Sequence, residues 1–281
     1  MRPAGLILLL LLANRLAAGT IDDAIAHFKA ANYPQAELEL TQLAVDDPKN
    51  AEVAYYMGLV MNAERRYDHG LSWLERAVAL DPANERYLAD YGGSSLEEAD
   101  RHNSYTLATK GRDAMLKAIG MNPRDVDARD GLMQFYDKAP WPLGDKDAAR
   151  EQAAAIAKLD PVKGQVAQAF LAITDKRYPD AVAACKAALA KRPDDYAALY
   201  QLGRAASFSG LELDLGIASL TRCLALTPTS DDAGPSAVHY RLGTLYEKKG
   251  DYPAAKAAYR AAIAEDPKNK AAVTALEKVH G

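Results

Sequence analysis

Segments rich in Ala and Leu alternate with short polar turns along most of the chain. Seven of these segments close on a dipeptide that ends in proline, at intervals of 32 to 41 residues: Asp47-Pro48, Asp81-Pro82, Asn122-Pro123, Asp160-Pro161, Arg192-Pro193, Thr227-Pro228 and Asp266-Pro267. Because proline lacks an amide donor and pushes the preceding residue out of the α region, each dipeptide marks the end of a helix. No segment shows the period-two alternation that predicts a strand, so the pattern indicates an all-α protein.

Small side chains recur at fixed distances before these prolines. Twelve residues before them lie Ala36, Gly70, Gly111, Ala149, Ala181, Gly216 and Ala255. Five residues before them the side chain is small in five copies and large in two, where Leu43 and Ile156 occur. Small residues let helices approach to the short end of the 8–10 Å range of interaxial distances. The pattern therefore predicts closely packed helix pairs, with slightly wider packing in the first and fourth copies.

The last copy has the strongest motif of the seven. It contains Leu242-Gly243, Tyr246, Gly250-Asp251-Tyr252, Ala255, Tyr259, Ala262 and Pro267, an order that resembles the 34-residue tetratricopeptide repeat. The second copy, with Met57-Gly58, Tyr67, Gly70, Leu74, Ala77 and Pro82, is similar. The resemblance implies a right-handed α-solenoid of about seven helix-turn-helix repeats. The expected repeats are 20–50, 51–84, 85–125, 126–161, 162–195, 196–230 and 236–269, followed by a capping helix over 270–281.

Two repeats depart from the family spacing. The third has about seven extra residues, which we expect in an inserted turn at 97–104, and the fourth has about four, expected at 139–144. The acidic residues near Asp125 resemble a calcium loop, but Tyr136 stands where that loop requires Glu. They are predicted to begin a helix instead.

Residues 1–19 have the composition of a secretory signal peptide. Arg2 precedes an apolar run from Ala4 to Ala13, and small residues lie before Thr20. The run has about half of the roughly 20 residues that a transmembrane helix needs. We expect cleavage before Thr20 and a periplasmic or secreted protein with no stable membrane insertion. A membrane tether through the uncleaved segment is the alternative.

Composition and charge narrow the class of partner. Of the 281 residues 49% are hydrophobic and 26% charged, which excludes a wholly disordered chain. The net charge is −4, from 34 basic and 38 acidic residues. Nucleic acid is therefore not expected as a partner, because no excess positive charge is available for its phosphates.

The resemblance implies that the first helix of each pair lines a concave groove that binds a protein or peptide. Its unpacked positions, mapped onto this sequence, give the candidate binding residues Tyr55, Leu59, Asn62, Gln134, Phe170, Tyr200, Arg204, Phe208 and Tyr240. The alternative is that Phe170, Tyr200 and Phe208 are covered by neighbouring helices. Acidic residues of the fourth copy, including Asp137, favour a basic segment. Family members that bind chaperone tails use Lys and Asn where Tyr55 and Leu59 stand, so that activity is not expected.

No constellation of catalytic, cofactor-binding or metal-ligating residues is recognised in the sequence. The histidines His27, His69, His102, His239 and His280 are far apart, and none belongs to a His-x-x-x-His or His-Glu pair. Cys185 and Cys223 lie on neighbouring second helices, where either a disulfide or two buried thiols is possible.

These observations favour a non-enzymatic scaffold that holds a protein or peptide segment in its groove, in the assembly of a cell-envelope complex. Two alternatives stay open. One is a self-associating solenoid, which would be a homo-oligomer. The other is a regulatory subunit of an envelope enzyme that uses the inserted turns.

Overall fold

The computed structural model describes residues 19–229 and 232–279, and this part of the chain contains 15 α-helices and no strand. The all-α prediction is confirmed. The predicted signal peptide lies outside the described residues except for Gly19, as do residues 280–281 of the predicted cap. None of the described helices has both the length and the apolar character that crossing a bilayer requires.

The chain forms two compact units, one ending at Leu132 (unit 1) and the other beginning at Met133 (unit 2). Unit 1 contains α1 (Ile21–Lys29), α2 (Tyr33–Asp46), α3 (Ala51–Ala63), α4 (Tyr67–Leu80), α5 (Glu85–His102) and α6 (Tyr105–Met121). The boundary lies within α7 (Val126–Lys138). Unit 2 continues with α8 (Lys146–Leu159), α9 (Pro161–Thr174), α10 (Tyr178–Lys191), α11 (Tyr196–Ser209), α12 (Leu213–Leu224), α13 (Pro235–Lys249), α14 (Tyr252–Glu265) and α15 (Lys270–Lys278). In both units helices pack as antiparallel helix-turn-helix pairs, the architecture of an α-solenoid.

Local sequence determines where these helices begin and end. The helices α2, α4, α6, α8, α10 and α14 each end two residues before one of the predicted stop prolines. Asp160 ends α8 and also caps α9 by accepting hydrogen bonds from the amides of Val162 and Lys163, so Pro161 is the first residue of α9. Asp125 accepts from the amides of Asp127 and Ala128 at 3.0 and 2.9 Å, which confirms a helix start there.

The inserted turn predicted at 97–104 is wrong. The helix α5 continues to His102, and only Asn103, in the left-handed region, and Ser104 separate it from α6. The extra residues lengthen α5 and α6 to 18 and 17 residues. The stretch from Glu97 to His102 has no Gly or Pro to stop a helix, and Arg101 pairs with Glu98 one turn earlier. The second predicted insertion, at 139–144, does lie in the non-helical connection between α7 and α8.

The recurring small residues lie where paired helices meet. All seven residues of the twelve-before-proline set are buried. The crossing of α5 and α6 illustrates this: a Cβ on Gly92 would lie 3.0 Å from the Gly111 carbonyl oxygen, and one on Gly111 would lie 2.8 Å from the Gly92 carbonyl oxygen. A methyl group added at either glycine would therefore meet backbone atoms of the other helix, which cannot move aside as the end of a flexible side chain can.

Both cysteines are free thiols in the packed interior. Cys223 occupies a position that is Ala in four other repeats, and its Sγ lies 3.7 Å from the Tyr196 carbonyl oxygen. The structure therefore favours the buried-thiol alternative over a disulfide. Burial raises the pKa of Cys185 and of Cys223 to about 12.

Alanine at two glycines of α6 should change stability in opposite directions. Gly111→Ala should lower the free energy of unfolding by about 1–3 kcal/mol, because the new methyl group meets backbone. Gly120→Ala, with no atom within 4 Å of its Cβ position, should raise it by up to about 1 kcal/mol. Urea unfolding followed by circular dichroism measures both. Equal effects of the two substitutions would contradict the proposed glycine crossing.

Stability should fall at alkaline pH, and Cys223→Ala should reduce that fall. The pKa of a thiol in the unfolded chain is about 8.5, whereas burial raises the pKa of the folded Cys223 thiol to about 12. Its contribution to stability is complete below the unfolded pKa and is lost as the pH rises toward the folded one. Urea unfolding of both proteins between about pH 8 and about pH 10.5 gives the difference in slope. An unchanged slope would show that the Cys223 thiol does not contribute.

Candidate binding surfaces

In unit 2 the first helix of each pair contacts the first helix of the next pair: α9 contacts α11, and α11 contacts α13. Their shared face carries Phe170 from α9, Arg204 and Phe208 from α11, and Tyr240 and Arg241 from α13, which we call the cation–aromatic row. Arg204 and Phe208 are four residues apart, so their side chains share one side of α11. Leu199 and Leu202 bury the other side.

Cations and rings alternate along the row. The Lys138 Nζ, at the end of α7, and the Arg204 guanidinium both lie 5.1 Å from the centroid of the Phe170 ring. Arg204 also lies 5.8 Å from the Phe208 ring, and Arg241 lies 4.5 Å from it. All these distances are within the roughly 6 Å range of cation–π attraction. The rings therefore hold the cations in place on the helix face.

The two arginines of the row have no acidic partner. Within residues 19–229 and 232–279, neither Arg204 nor Arg241 forms an ion pair with a carboxylate, and Arg204 donates only to the Gln201 amide oxygen at 3.2 Å. Burial and the neighbouring Arg241 charge lower the pKa of Arg204. Arg204 and Arg241 therefore lie on this face without a direct ion pair to a carboxylate of the described residues, and the nearby Asp137 charge acts on Arg204 only at longer range.

The acidic character expected for the fourth repeat is neutralised at Asp137. This side chain is buried, and the Lys146 Nζ donates to its Oδ1 at 2.6 Å and to its carbonyl oxygen at 2.9 Å. The expectation that Asp137 faces a basic partner segment is therefore wrong, since its charge is used inside the fold.

The candidate residues of unit 2 differ in exposure. Phe208 is 44% exposed, while Gln134, Tyr200, Arg204 and Tyr240 are partly buried. Phe170 is only 4% exposed, so the alternative that neighbouring side chains cover it is correct for this ring but not for Phe208. Arg241 was not among the predicted residues, although it directly follows Tyr240.

The candidate residues of unit 1 are used in internal contacts. Tyr55 is 1% exposed, its ring stacks on Tyr87 at 4.5 Å, and its hydroxyl donates to Asp90 Oδ2 at 2.5 Å. Asn62 donates to Ser94 Oγ at 3.0 Å and fills the space beside Gly70. Leu59 is partly buried against the core. The predicted exposure of Tyr55 is wrong, because α5 packs over it. Partner binding by these three residues stays a prediction.

Unit 1 also contains a cluster of two carboxylates and a histidine that the sequence analysis does not predict. Asp68 at the start of α4 meets Glu98 and His102 near the end of α5. The four-residue spacing of Glu98 and His102 was the available signal, but the expected turn at 97–104 concealed that both lie on one helix face.

Two segments of the chain match the tetratricopeptide repeat family, residues 6–85 and residues 236–269. The first match begins inside the predicted signal peptide. No curated protein matches the sequence.

Solved structures show the same fold at low sequence identity. A tetratricopeptide repeat protein from Parabacteroides merdae superposes with a TM-score of 0.70 at 12% identity, covering 92% of this chain and 96% of its own. A chain of the APC/C hetero-tetramer Cut9–Hcn1 has a TM-score of 0.63 at 15% identity, with 92% of this chain covered. This chain spans about half of that protein's length (48%). The C-terminal part of a repeat protein from Cytophaga hutchinsonii gives 0.50 at 16% identity, covering 92% and 99%.

Proposed function

Because the chain is a tetratricopeptide repeat protein, we propose that it is a non-enzymatic scaffold whose unit 2 binds an acidic segment of a partner protein. Repeats of this family generally mediate protein–protein interaction. The observation that supports an acidic partner is the exposed Phe208 ring, flanked by two arginines that pair with no carboxylate in the described part of the chain.

The row is suited to binding because it is already formed in the free protein. Tyr178 stacks behind Phe208 with a centroid distance of 6.4 Å, and the arginines lie against its ring. A rigid aromatic residue loses little side-chain entropy when a partner covers it, so more of the burial free energy is available as affinity. Aromatic residues and Arg are also the types that dominate interface energetics.

Charge determines which partner segment fits. Carboxylates of an acidic segment would neutralise Arg204 and Arg241, and their attraction would orient the segment and accelerate its association. A basic segment would instead bring like charges together at a partly desolvated surface. The row therefore favours acidic side chains next to an apolar residue that covers Phe208.

We also propose that this scaffold acts outside the cytoplasm, in the assembly of an envelope complex. The support is the composition of residues 1–19, with a basic start, a short apolar run and small residues before Thr20. Mass spectrometry of the full-length gene product recovered from bacterial fractions tests this location. A mature chain that begins at Thr20 is expected, and an intact N-terminus in the cytoplasmic fraction would contradict it.

Substitutions in the row should weaken binding of acidic peptides. On an array of acidic, neutral and basic peptides, the protein should select acidic members that contain an apolar residue. Phe208→Ala and Arg241→Gln should each weaken this binding by about tenfold or more, the loss typical of an interface anchor. Arg260→Gln removes an exposed arginine from the second helix α14 and serves as the matched control, with no change expected.

Two outcomes would overturn the acidic-segment proposal. One is selection of basic peptides, or acidic binding that the Phe208 and Arg241 variants leave unchanged. The other is a concentration-dependent rise in mass by light scattering that Phe208→Ala abolishes, which would make a second copy of the chain the occupant of the row.

A further inference from the structure

We propose that Asp68, Glu98 and His102 in unit 1 bind a divalent transition-metal ion of the Zn²⁺ type. The cluster belongs to unit 1 and the cation–aromatic row to unit 2, and the two share no residue, so partner binding at the row does not require the cluster. One imidazole nitrogen and two carboxylate oxygens form a donor set that suits zinc, with a water molecule as the fourth ligand.

The distances between the three ligand atoms fit one metal ion. His102 Nε2 lies 3.1 Å from Glu98 Oε2 and 3.4 Å from Asp68 Oδ1. The three ligand atoms are all within 4.8 Å of one another. Tetrahedral zinc with bonds of about 2.0–2.2 Å separates neighbouring ligand atoms by about 3.3–3.6 Å. The separation between His102 and Asp68 lies in this range, and the separation between His102 and Glu98 is slightly shorter. Small movements of the exposed His102 and Asp68 side chains would bring all three atoms to these separations.

The lengthened α5 builds the site. Glu98 and His102 are four residues apart near the C-terminal end of this helix, so they lie on one side of it. The packing of α4 against α5 brings Asp68, in the first turn of α4, next to them. The residues that depart from the family spacing therefore supply two of the three ligands.

Surrounding contacts hold the buried ligand in position. The Glu98 side chain is only 4% exposed, and its Oε1 accepts a hydrogen bond from Arg101 Nη1 at 2.6 Å. Arg101 in turn lies 3.6 Å from the centroid of the Tyr67 ring. This arrangement orients the Glu98 carboxylate and leaves its Oε2 facing His102, as hydrogen bonds to ligating carboxylates do in metal sites.

The other two ligands face solvent and leave access for the ion. The side chains of His102 and Asp68 are 55% and 77% exposed. Arg65, Arg66 and Arg101 line the same depression and oppose a cation, although Arg66 pairs with Glu37 and Glu64. The attraction comes from the carboxylates of Asp68 and Glu98, which a bound ion would contact directly. A bound ion would link α4 of the second helix pair to α5 of the third and so stabilise unit 1.

Zinc titration of the untagged full-length chain tests the site. After treatment with a chelator, calorimetry with Zn²⁺ at about pH 7.5 should show one equivalent bound. His102→Ala and Asp68→Asn should each weaken binding by more than about 100-fold, beyond the loss caused by residues that only support ligands. Both residues are exposed, so neither substitution should prevent folding, and circular dichroism checks this.

His69→Ala is the matched control, because His69 is an exposed histidine that lines the same depression without belonging to the cluster. It should bind Zn²⁺ as the wild type does. Absence of Zn²⁺ binding by the wild type would overturn the proposal and leave the cluster as contacts between the His102 ring and two carboxylates. Binding that survives His102→Ala, or that His69→Ala removes, would overturn it as well.

Discussion

The structure depends on the close approach of two helices within each pair. At the crossing of α5 and α6 this approach brings the Gly92 and Gly111 backbones together, and in the other pairs Ala or Gly occupies the equivalent position. Because the small positions bring the helices close, the larger apolar residues around them are buried in continuous clusters. One such cluster in unit 1 extends from Ala24 to Ala118.

Close packing of the second helices leaves the first helices with a free side. In unit 2 that side carries the exposed Phe208 ring and two arginines, Arg204 and Arg241, that form no ion pair with a carboxylate of the described residues. Phe170 is covered by its cationic neighbours, whereas Phe208 stays open between Arg204 and Arg241. In unit 1 a candidate binding position on a first helix is buried instead: the Tyr55 ring stacks on Tyr87, and its hydroxyl donates a hydrogen bond to Asp90. One repeat pattern therefore yields a buried tyrosine in unit 1 and an exposed ring beside two arginines in unit 2.

The irregular repeat has a separate consequence. Extra residues in the third pair extend helices instead of forming a loop, since nothing between Glu97 and His102 stops a helix. The added turn places Glu98 and His102 beside Asp68 of the preceding pair. A departure from the family spacing thus creates a side-chain cluster that the regular repeat does not have.

The sequence by itself determined the features that depend on neighbours within a few residues. Prolines, capping Asp and Asn residues and recurring Ala and Gly specified the helix ends and the pairing, because these effects act within one or two turns. The length of α5 is also locally encoded, because no helix breaker lies between Glu97 and His102, although the family spacing predicts a turn there. Only the tertiary structure decided which side chains stay exposed and which charges are neutralised. The burial of Tyr55, the pairing of Asp137 with Lys146 and the meeting of Asp68 with His102 depend on packing between separate elements.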